Sequence, residues 1–184
     1  YYDSSKSRIC AAITFVYAGG PAEKAGLKRG DVIMEVNGKQ MLPGNYAEIV
    51  TGELFGSRSC KLSLYGGNMV TLEAVSMYED PVLQCRVFEF DGKKVGYLHY
   101  ASFTAKSCER LIEVCRGFKA EGIKELILDL RYNTGGLVET ENLLMSMLAP
   151  EENVVAGDVF EQEIYNRTLT ETLGTSVSRF TTAF

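Results

Sequence analysis

Residues 126–136 read LILDLRYNTGG, an apolar run followed by charged residues, an asparagine and two glycines. A short, nearly continuous apolar run is typical of a strand, here Leu126–Leu130, that is buried on both faces of a sheet. A helix is predicted over Leu137–Leu148, closed by Pro150. Ligands bind at the carboxyl ends of strands in α/β sheets, so this strand-to-helix turn is the first place to look for chemistry.

The residues before this turn predict a hairpin and a long helix. The hairpin strands are Cys85–Phe90 and Val95–Tyr100, joined at Asp91-Gly92. The helix is predicted to start at the N-cap Thr104 and to stop at Gly122. Its apolar stripe is expected to comprise Cys108, Leu111, Ile112, Cys115 and Phe118. The order strand, helix, strand, helix predicts an α/β fold with a mostly parallel sheet.

The first half of the chain follows a different pattern. A strand over Val32–Val36 ends at the turn Asn37-Gly38. The other elements predicted are helices over Ala22–Leu27 and along Tyr46, Ile49, Val50 and Leu54, and strands Lys61–Tyr65 and Met69–Val75. Turn formers at 78–81 mark a boundary, because proline disfavours helix at the preceding residue. We therefore expect two domains, a small β-rich one over 1–80 and an α/β one over 81–184.

The last thirty-four residues are weakly patterned. Short strands are possible at Val154-Val155 and Val159-Phe160, whereas 168–182 is rich in Thr and Ser. We expect loops or a mobile end there.

Composition excludes several function classes. The 184 residues carry a net charge of -5, so the basic surface required for nucleic acid is absent. The longest apolar run, Ile9–Ala18, is about half of a membrane span. Five scattered cysteines and a single histidine, His99, argue against zinc. Neither the dinucleotide nor the P-loop glycine motif is present, so no phosphate cofactor is expected.

Two glycines that open a helix can serve chemistry directly. Gly135 and Gly136 allow close approach of a ligand to the backbone, and their N–H groups could hold an anion or a developing oxyanion. Asp129 and Arg131 need an ion pair or hydrogen bonds to the loop at the end of an apolar strand. The alternative is a tight turn that these charged residues merely stabilise.

At these positions the sequence resembles the carboxy-terminal processing, or tail-specific, serine peptidases. The residues that carry the resemblance to their catalytic core are Asp129-Leu130-Arg131, Asn133 and Gly135-Gly136, preceded by Val95-Gly96-Tyr97-Leu98 and Ser102-Phe103. Gly20–Ile33 and Val36-Asn37-Gly38 are similar to the PDZ domain that these enzymes carry before that core. The resemblance covers roughly residues 9 to 160.

The resemblance implies a fold and a separate function for each of the two domains. It implies a PDZ-like domain that captures unstructured protein or peptide substrates by their free C-termini, followed by part of a ClpP/crotonase-like α/β core. Residues matched to peptide binding are Tyr46, Ile49 and Val50, although they could equally be core. The family uses a serine nucleophile with a lysine base, without metal or other cofactor, and is usually extracytoplasmic, in the bacterial periplasm or at the cell surface.

Residue by residue, the resemblance matches Gly135 and Gly136 to the oxyanion turn, without deciding which N–H is used. It matches Asp129, Arg131 and Asn133 to positions that shape the loop. His99 matches no catalytic position and is expected to be structural or exposed.

The serine motif of the family is missing from its expected place. Ser176 and Ser178 follow no apolar strand, and no lysine occurs after Lys124. We therefore expect the nucleophile and base to lie beyond this chain, which alone would be inactive. One alternative is a non-catalytic peptide- or ligand-binding protein on the same folds. Another is a crotonase-like acyl-CoA enzyme, which would leave the PDZ half unexplained.

Overall fold

A computed structural model describes residues 2–3, 7–150 and 155–180 of the chain. The chain divides into two compact units, Tyr1–Asp80 and Pro81–Phe184. Within the described ranges, no helix is long and apolar enough to span a membrane. In the same ranges, no group of three or more His, Cys, Asp or Glu side chains is placed to hold a metal ion.

The first unit is built on antiparallel β-structure. Its strands are β1 (Tyr2–Asp3), β2 (Arg8–Ile9), β3 (Ala11–Ala12), β4 (Val32–Val36), β5 (Lys39–Gln40), β6 (Ser59–Leu64) and β7 (Met69–Glu73). The main sheet has the order β3-β4-β6-β7, with β5 paired to β4, while β1 pairs with β2. Asn37 and Gly38 both have positive φ, 53° and 74°, as a tight hairpin turn requires. The predicted strand over 32–36 and its turn are confirmed.

Two short helical segments complete this unit. Helix α1 (Pro21–Lys24) is shorter than predicted, because Gly26 has a φ of 81° and stops it. Helix α2 (Tyr46–Glu48) continues directly as a π-helix over Ile49–Leu54, so the predicted second helix is confirmed. The core of the unit consists of Leu27, Ile33, Val36, Met41, Ile49, Cys60 and Leu62.

The second unit contains the predicted strand–helix–strand unit. Its elements are β8 (Val82–Phe90), β9 (Lys93–Tyr100), α3 (Ser107–Ala120), β10 (Glu125–Asp129) and α4 (Val138–Leu148). Strand β9 pairs antiparallel with β8 and parallel with β10, in the sheet order β10-β9-β8. The core of this unit comprises Val82, Leu98, Tyr100, Leu111, Val114, Phe118 and Leu144.

Strand β10 is not buried on both faces, contrary to the prediction. Among the described strands it pairs only with β9, which makes it an edge strand. Leu126 and Leu128 pack against the core, whereas Ile127 is 50% exposed on the other face. The exposure of Ile127 could not be predicted from hydropathy alone, because an apolar residue has the same hydropathy on an uncovered face as on a buried one.

The predicted start of α3 is wrong. Ser107 is its first residue, and both its N–H and its Oγ donate to the main-chain oxygen of Thr104, at 3.0 and 2.7 Å. Thr104 therefore contributes its carbonyl, and its Oγ1 is buried without a partner among the described residues. The fully buried stripe is also rotated, and it comprises Ser107, Leu111, Val114 and Phe118. The predicted members Cys108, Ile112 and Cys115 are not among its buried residues.

Residues 155–180 are more ordered than predicted. They form β11 (Val159–Gln162), α5 (Arg167–Leu173) and β12 (Val177–Arg179), with β11 and β12 antiparallel. Asn166 caps α5 by accepting from the Leu169 N–H at 3.0 Å. Hydroxyls of Thr170 and Thr172 bond carbonyls one turn back, so threonines are accommodated in the helix. The strand at Val159-Phe160 is confirmed, Val155 is in no strand, and Val154 lies outside the described residues.

Candidate functional site

The loop between β10 and α4 is anchored on residue Phe103. The Phe103 N–H donates to the carbonyl of Gly135 at 2.9 Å, and the Leu137 N–H donates to the carbonyl of Phe103 at 2.8 Å. These two hydrogen bonds form a parallel β-bridge between Phe103 and Gly136. This bridge fixes the segment that we call the Gly-Gly turn, residues 133–137, at the carboxyl end of β10.

The two glycines of the Gly-Gly turn are not equivalent. Gly136 has a φ of 145°, and a Cβ at this position would lie 2.1 Å from the carbonyl oxygen of Phe103. Gly135 has a φ of 88°, and a Cβ there would meet nothing within 4 Å. Gly136 is therefore required by close backbone approach, whereas Gly135 is required only by its left-handed conformation.

The N–H groups of the two glycines also differ. The Gly135 N–H donates to Oδ1 of Asn133 at 2.7 Å. The Gly136 N–H donates to no atom of the described residues, since the bridge to Phe103 uses the groups on either side of it. The sequence could not distinguish the glycines, and the geometry leaves Gly136 as the available donor.

Asn133 connects the Gly-Gly turn to β9. Its Oδ1 accepts from Gly135, and its Nδ2 donates to the main-chain oxygen of Tyr100 at 3.0 Å. Both polar atoms of the Asn133 side chain are thus bonded to backbone groups. Tyr100 lies 33 residues before Asn133 in the sequence, and Gly135 lies two residues after it. Asn133 therefore joins the backbone of the Gly-Gly turn to the backbone of β9.

Asp129 and Arg131 form a tight ion pair at the end of β10. The Arg131 Nε lies 2.9 and 3.0 Å from the two Asp129 oxygens, and Nη2 lies 2.6 Å from Oδ2. The Arg131 N–H donates to Oδ1, and the hydroxyl of Tyr97 donates to Oδ2 at 2.6 Å. The Asp129 side chain is 6% exposed and that of Arg131 66%. The predicted need for an ion pair is met.

This network sets the charge of its members. Hydrogen bonds from the Arg131 guanidinium, and then from the Tyr97 hydroxyl, hold the pKa of Asp129 far below its usual range despite burial. The pKa of Arg131 is raised by the same carboxylate. The pKa of Tyr97 is raised as well, mainly by its bond to Asp129. Asp129 is therefore anionic near neutral pH and unsuited to proton transfer there.

His99 is structural in its contacts. It is 7% exposed, and its Nε2 lies 3.2 Å from the main-chain oxygen of Arg131. Of the two expectations for His99, structural or exposed, the structure supports the first.

A groove of about 490 Å³ opens beside the Gly-Gly turn. Its lining residues come from the start of α4 and from the segment around β11 and β12: Gly136, Leu137, Val138, Glu139, Asn142, Glu163, Ser176 and Ser178. Buried Asn142 holds the two sides together, because its Nδ2 donates to the carbonyl of Arg179 at 2.5 Å. Within the described residues the lining contains no lysine or histidine beside Ser176 and Ser178, and its ionisable side chains are the carboxylates of Glu139 and Glu163.

In the first unit, only one of the three residues matched to peptide binding is well exposed. Tyr46 is 44% exposed. Ile49 is 4% exposed and belongs to the core, and Val50 packs against that core. The Ile49 side chain is enclosed by apolar neighbours, and its match to peptide binding stays a prediction. The alternative that these positions are core holds for Ile49, and partly for Val50.

Comparison with known families identifies a segment in each unit. Residues 94–177 match peptidase family S41, and residues 13–51 match the PDZ domain. The S41 segment contains the Gly-Gly turn and the Asp129–Arg131 pair. The PDZ segment contains β4 and α2.

Relatives with curated names are carboxy-terminal processing proteases. CtpA of Bacillus subtilis is 32% identical over 125 residues, covering 66% of this chain and 26% of the relative. The carboxyl-terminal-processing protease of Synechocystis is 28% identical over 145 residues, covering 75% and 34%. The chain thus spans about a quarter to a third of the length of these relatives.

Solved structures agree on the fold. A Bacteroides fragilis protein described as an S41 protease has a TM-score of 0.68 and 28% identity, covering 98% of this chain and 49% of that one. The photosystem II D1 C-terminal processing protease has a TM-score of 0.50 and 22% identity, covering 78% and 43%. The α/β fold class predicted from the sequence is confirmed.

Proposed function

We propose that this chain is part of a C-terminal processing serine endopeptidase, because one segment matches peptidase family S41 and another matches the PDZ domain. The resemblance of its sequence implied the same function. The observation that carries the proposal is the Gly136 N–H, left without an acceptor among the described residues and placed beside the groove. Such a donor suits the oxygen that becomes negative when a peptide carbonyl is attacked.

In this proposal the Gly-Gly turn supplies electrostatic stabilisation. The scissile carbonyl lies with its oxygen toward the Gly136 N–H, near the start of the eleven-residue helix α4. The partial positive charge at a helix N-terminus favours an anion there. Asp129, Arg131 and Asn133 hold the loop and take no chemical step.

The nucleophile and base are proposed to lie outside these 184 residues. Ser176 and Ser178 line the groove, but no lysine or histidine among the described lining residues could activate either of them. A serine requires a base within hydrogen-bonding reach, and a lysine base requires a lowered pKa. By itself the chain is therefore proposed to be inactive, and no cofactor is invoked.

The PDZ segment is proposed to select substrates. Unstructured proteins or peptides with free C-termini would add as a strand to a sheet edge, and Tyr46 is the exposed residue among those matched to peptide binding. From the resemblance alone we also propose an extracytoplasmic location, in the bacterial periplasm or at the cell surface.

A second candidate is peptide binding without hydrolysis. The described lining of the groove beside Gly136 offers hydroxyls, carboxylates and an amide, which can bind the polar groups of a peptide, and it contains no lysine that could act as the base of the proposed peptidase. The two functions differ in whether bound peptide is cut.

The test compares hydrolysis of an unstructured peptide with a free C-terminus and of its C-terminally amidated twin, using the full-length gene product. We expect cleavage of the free peptide, slower cleavage of the amidated one, and loss of cleavage when the downstream motif serine is changed to alanine. Binding of the peptide without any cleavage would establish the second candidate. Full activity of the serine variant would overturn the proposed mechanism.

A further inference from the structure

The carbonyl of Gly135 receives two hydrogen bonds. One is from the Phe103 N–H at 2.9 Å, and the other is from the Ser102 Oγ at 3.2 Å. This carbonyl belongs to the same peptide group as the Gly136 N–H. A peptide group is planar and trans, so its C=O and N–H point in opposite directions. Donors that fix the oxygen therefore also fix the direction of the Gly136 N–H.

This peptide group needs to be held. It joins two glycines, which restrict φ and ψ less than any other residue, and a side chain at Gly135 would have open space around it. Rotation of the peptide plane by half a turn would exchange the directions of the N–H and of the carbonyl oxygen. An acceptor would then stand where the proposed reaction needs a donor.

The neighbouring contacts act on other peptide groups. Asn133 binds the Gly135 N–H, which belongs to the peptide group before. The Leu137 N–H, bound by the Phe103 carbonyl, belongs to the peptide group after. Within the described residues, Ser102 is the one side chain that hydrogen-bonds the Gly135–Gly136 peptide group.

We propose that Ser102 is a positioning residue for the candidate oxyanion donor, and that its hydroxyl keeps the Gly136 N–H directed toward the groove. The hydroxyl also polarises the peptide, because a hydrogen bond to the carbonyl strengthens the N–H as a donor. The catalytic consequence rests on the proposed peptidase function. Ser102 itself touches neither substrate nor reacting atoms.

The kinetic test uses the full-length gene product and a peptide substrate. Ser102→Ala should lower kcat about tenfold with KM within about twofold, less than the loss of a whole oxyanion donor, because the Phe103 N–H still holds the carbonyl. Ser102→Thr keeps the hydroxyl and should restore most of kcat. Thr172→Ala is the matched control, since its hydroxyl also donates to a main-chain carbonyl, in α5. Unchanged kcat in Ser102→Ala, or equal loss in Ser102→Thr, would overturn the proposal.

A second readout does not depend on hydrolysis. In amide NMR spectra of this chain, Ser102→Ala should shift and broaden the Gly136 resonance, because the peptide group is released to rotate. Ser102→Thr should reverse the change, and Thr172→Ala should leave Gly136 unaffected. If the position and the line width of the Gly136 resonance do not change in Ser102→Ala, the positioning role is refuted. If the wild-type protein cleaves no peptide, the proposed function fails, while this measurement still decides the role of Ser102.

Discussion

Gly136 and Phe103 approach so closely that a methyl group at position 136 would lie 2.1 Å from the carbonyl oxygen of Phe103. The hydrogen bond that this oxygen accepts from the Leu137 N–H, at 2.8 Å, restricts its movement away from position 136. The contact thus links the end of the β9 segment to the start of α4. It makes the position intolerant of any side chain.

The first prediction contrasts the two glycines. Gly136→Ala should lower the free energy of unfolding by more than about 3 kcal/mol, since it combines a backbone clash with a disfavoured φ. Gly135→Ala should cost only about 1–2 kcal/mol, for its left-handed conformation alone. Urea unfolding followed by circular dichroism measures both. Equal costs would show that the approach to Phe103 does not govern the turn.

The second prediction concerns acid stability. The Arg131 guanidinium and the Tyr97 hydroxyl lower the folded-state pKa of Asp129. Its contribution to stability is therefore present above its unfolded pKa of about 3.9, and is lost as the pH falls from there toward the folded value. Asp129→Asn should make the free energy of unfolding less dependent on pH below about pH 4, measured in urea at a series of pH values.

Glu121→Gln provides a comparison for Asp129. The pKa of Glu121 is also lowered, chiefly by its hydrogen bond to Lys94, but both side chains are exposed. Its removal should change the acid dependence less, because solvent screens exposed pairs. Identical pH profiles for wild type and Asp129→Asn would contradict the assigned cause.

The third prediction concerns the docking of β12 on α4. Asn142→Ala removes the donor to the Arg179 carbonyl and should speed amide exchange in Val177–Arg179 about tenfold, which corresponds to one hydrogen bond of about 1.4 kcal/mol. Thr172→Ala is the control, since its hydroxyl donates to the Thr168 carbonyl within α5. Unaltered exchange in Asn142→Ala would mean that β12 is held by other contacts.

The fourth prediction separates binding from stability in the first unit. Tyr46→Ala should weaken binding of a peptide with a free C-terminus about fivefold or more and change the free energy of unfolding by less than about 0.5 kcal/mol. Ile49→Ala should instead cost about 2–4 kcal/mol of stability, because it leaves a cavity. Fluorescence anisotropy and urea unfolding provide the two readouts. Undiminished binding by Tyr46→Ala would remove Tyr46 from the peptide site.

Local signals predicted much of the fold. The turn at Asn37-Gly38, the hairpin around Asp91-Gly92 and the strand-to-helix turn at 129–138 all depend on neighbours in sequence, and all are found. The Asp129–Arg131 pair was predictable for the same reason. Misplaced features depend on more distant partners. The exposure of Ile127, for example, depends on what covers the sheet.

The site was predictable in its residue types and not in its contacts. Nothing near Asn133 in sequence indicates that Nδ2 reaches the carbonyl of Tyr100, and nothing near Asn142 indicates Arg179. Hydrogen bonds across more than thirty residues follow from the tertiary fold, because tertiary packing brings the partners together. No role could be predicted for Ser102, although it precedes Phe103 in the motif, because its partner Gly135 lies 33 residues away in the sequence.

The alternation of side chains along β9 has a consequence for tolerance to insertion and deletion. Leu98 and Tyr100 belong to the core, while Tyr97 and His99 reach Asp129 and Arg131 from the same strand. A strand turns successive side chains to opposite faces, so a slip of one residue would exchange the two sets. It would put a histidine into the core and deprive Asp129 of its hydroxyl donor at the same time. Core packing and site geometry thus share one register.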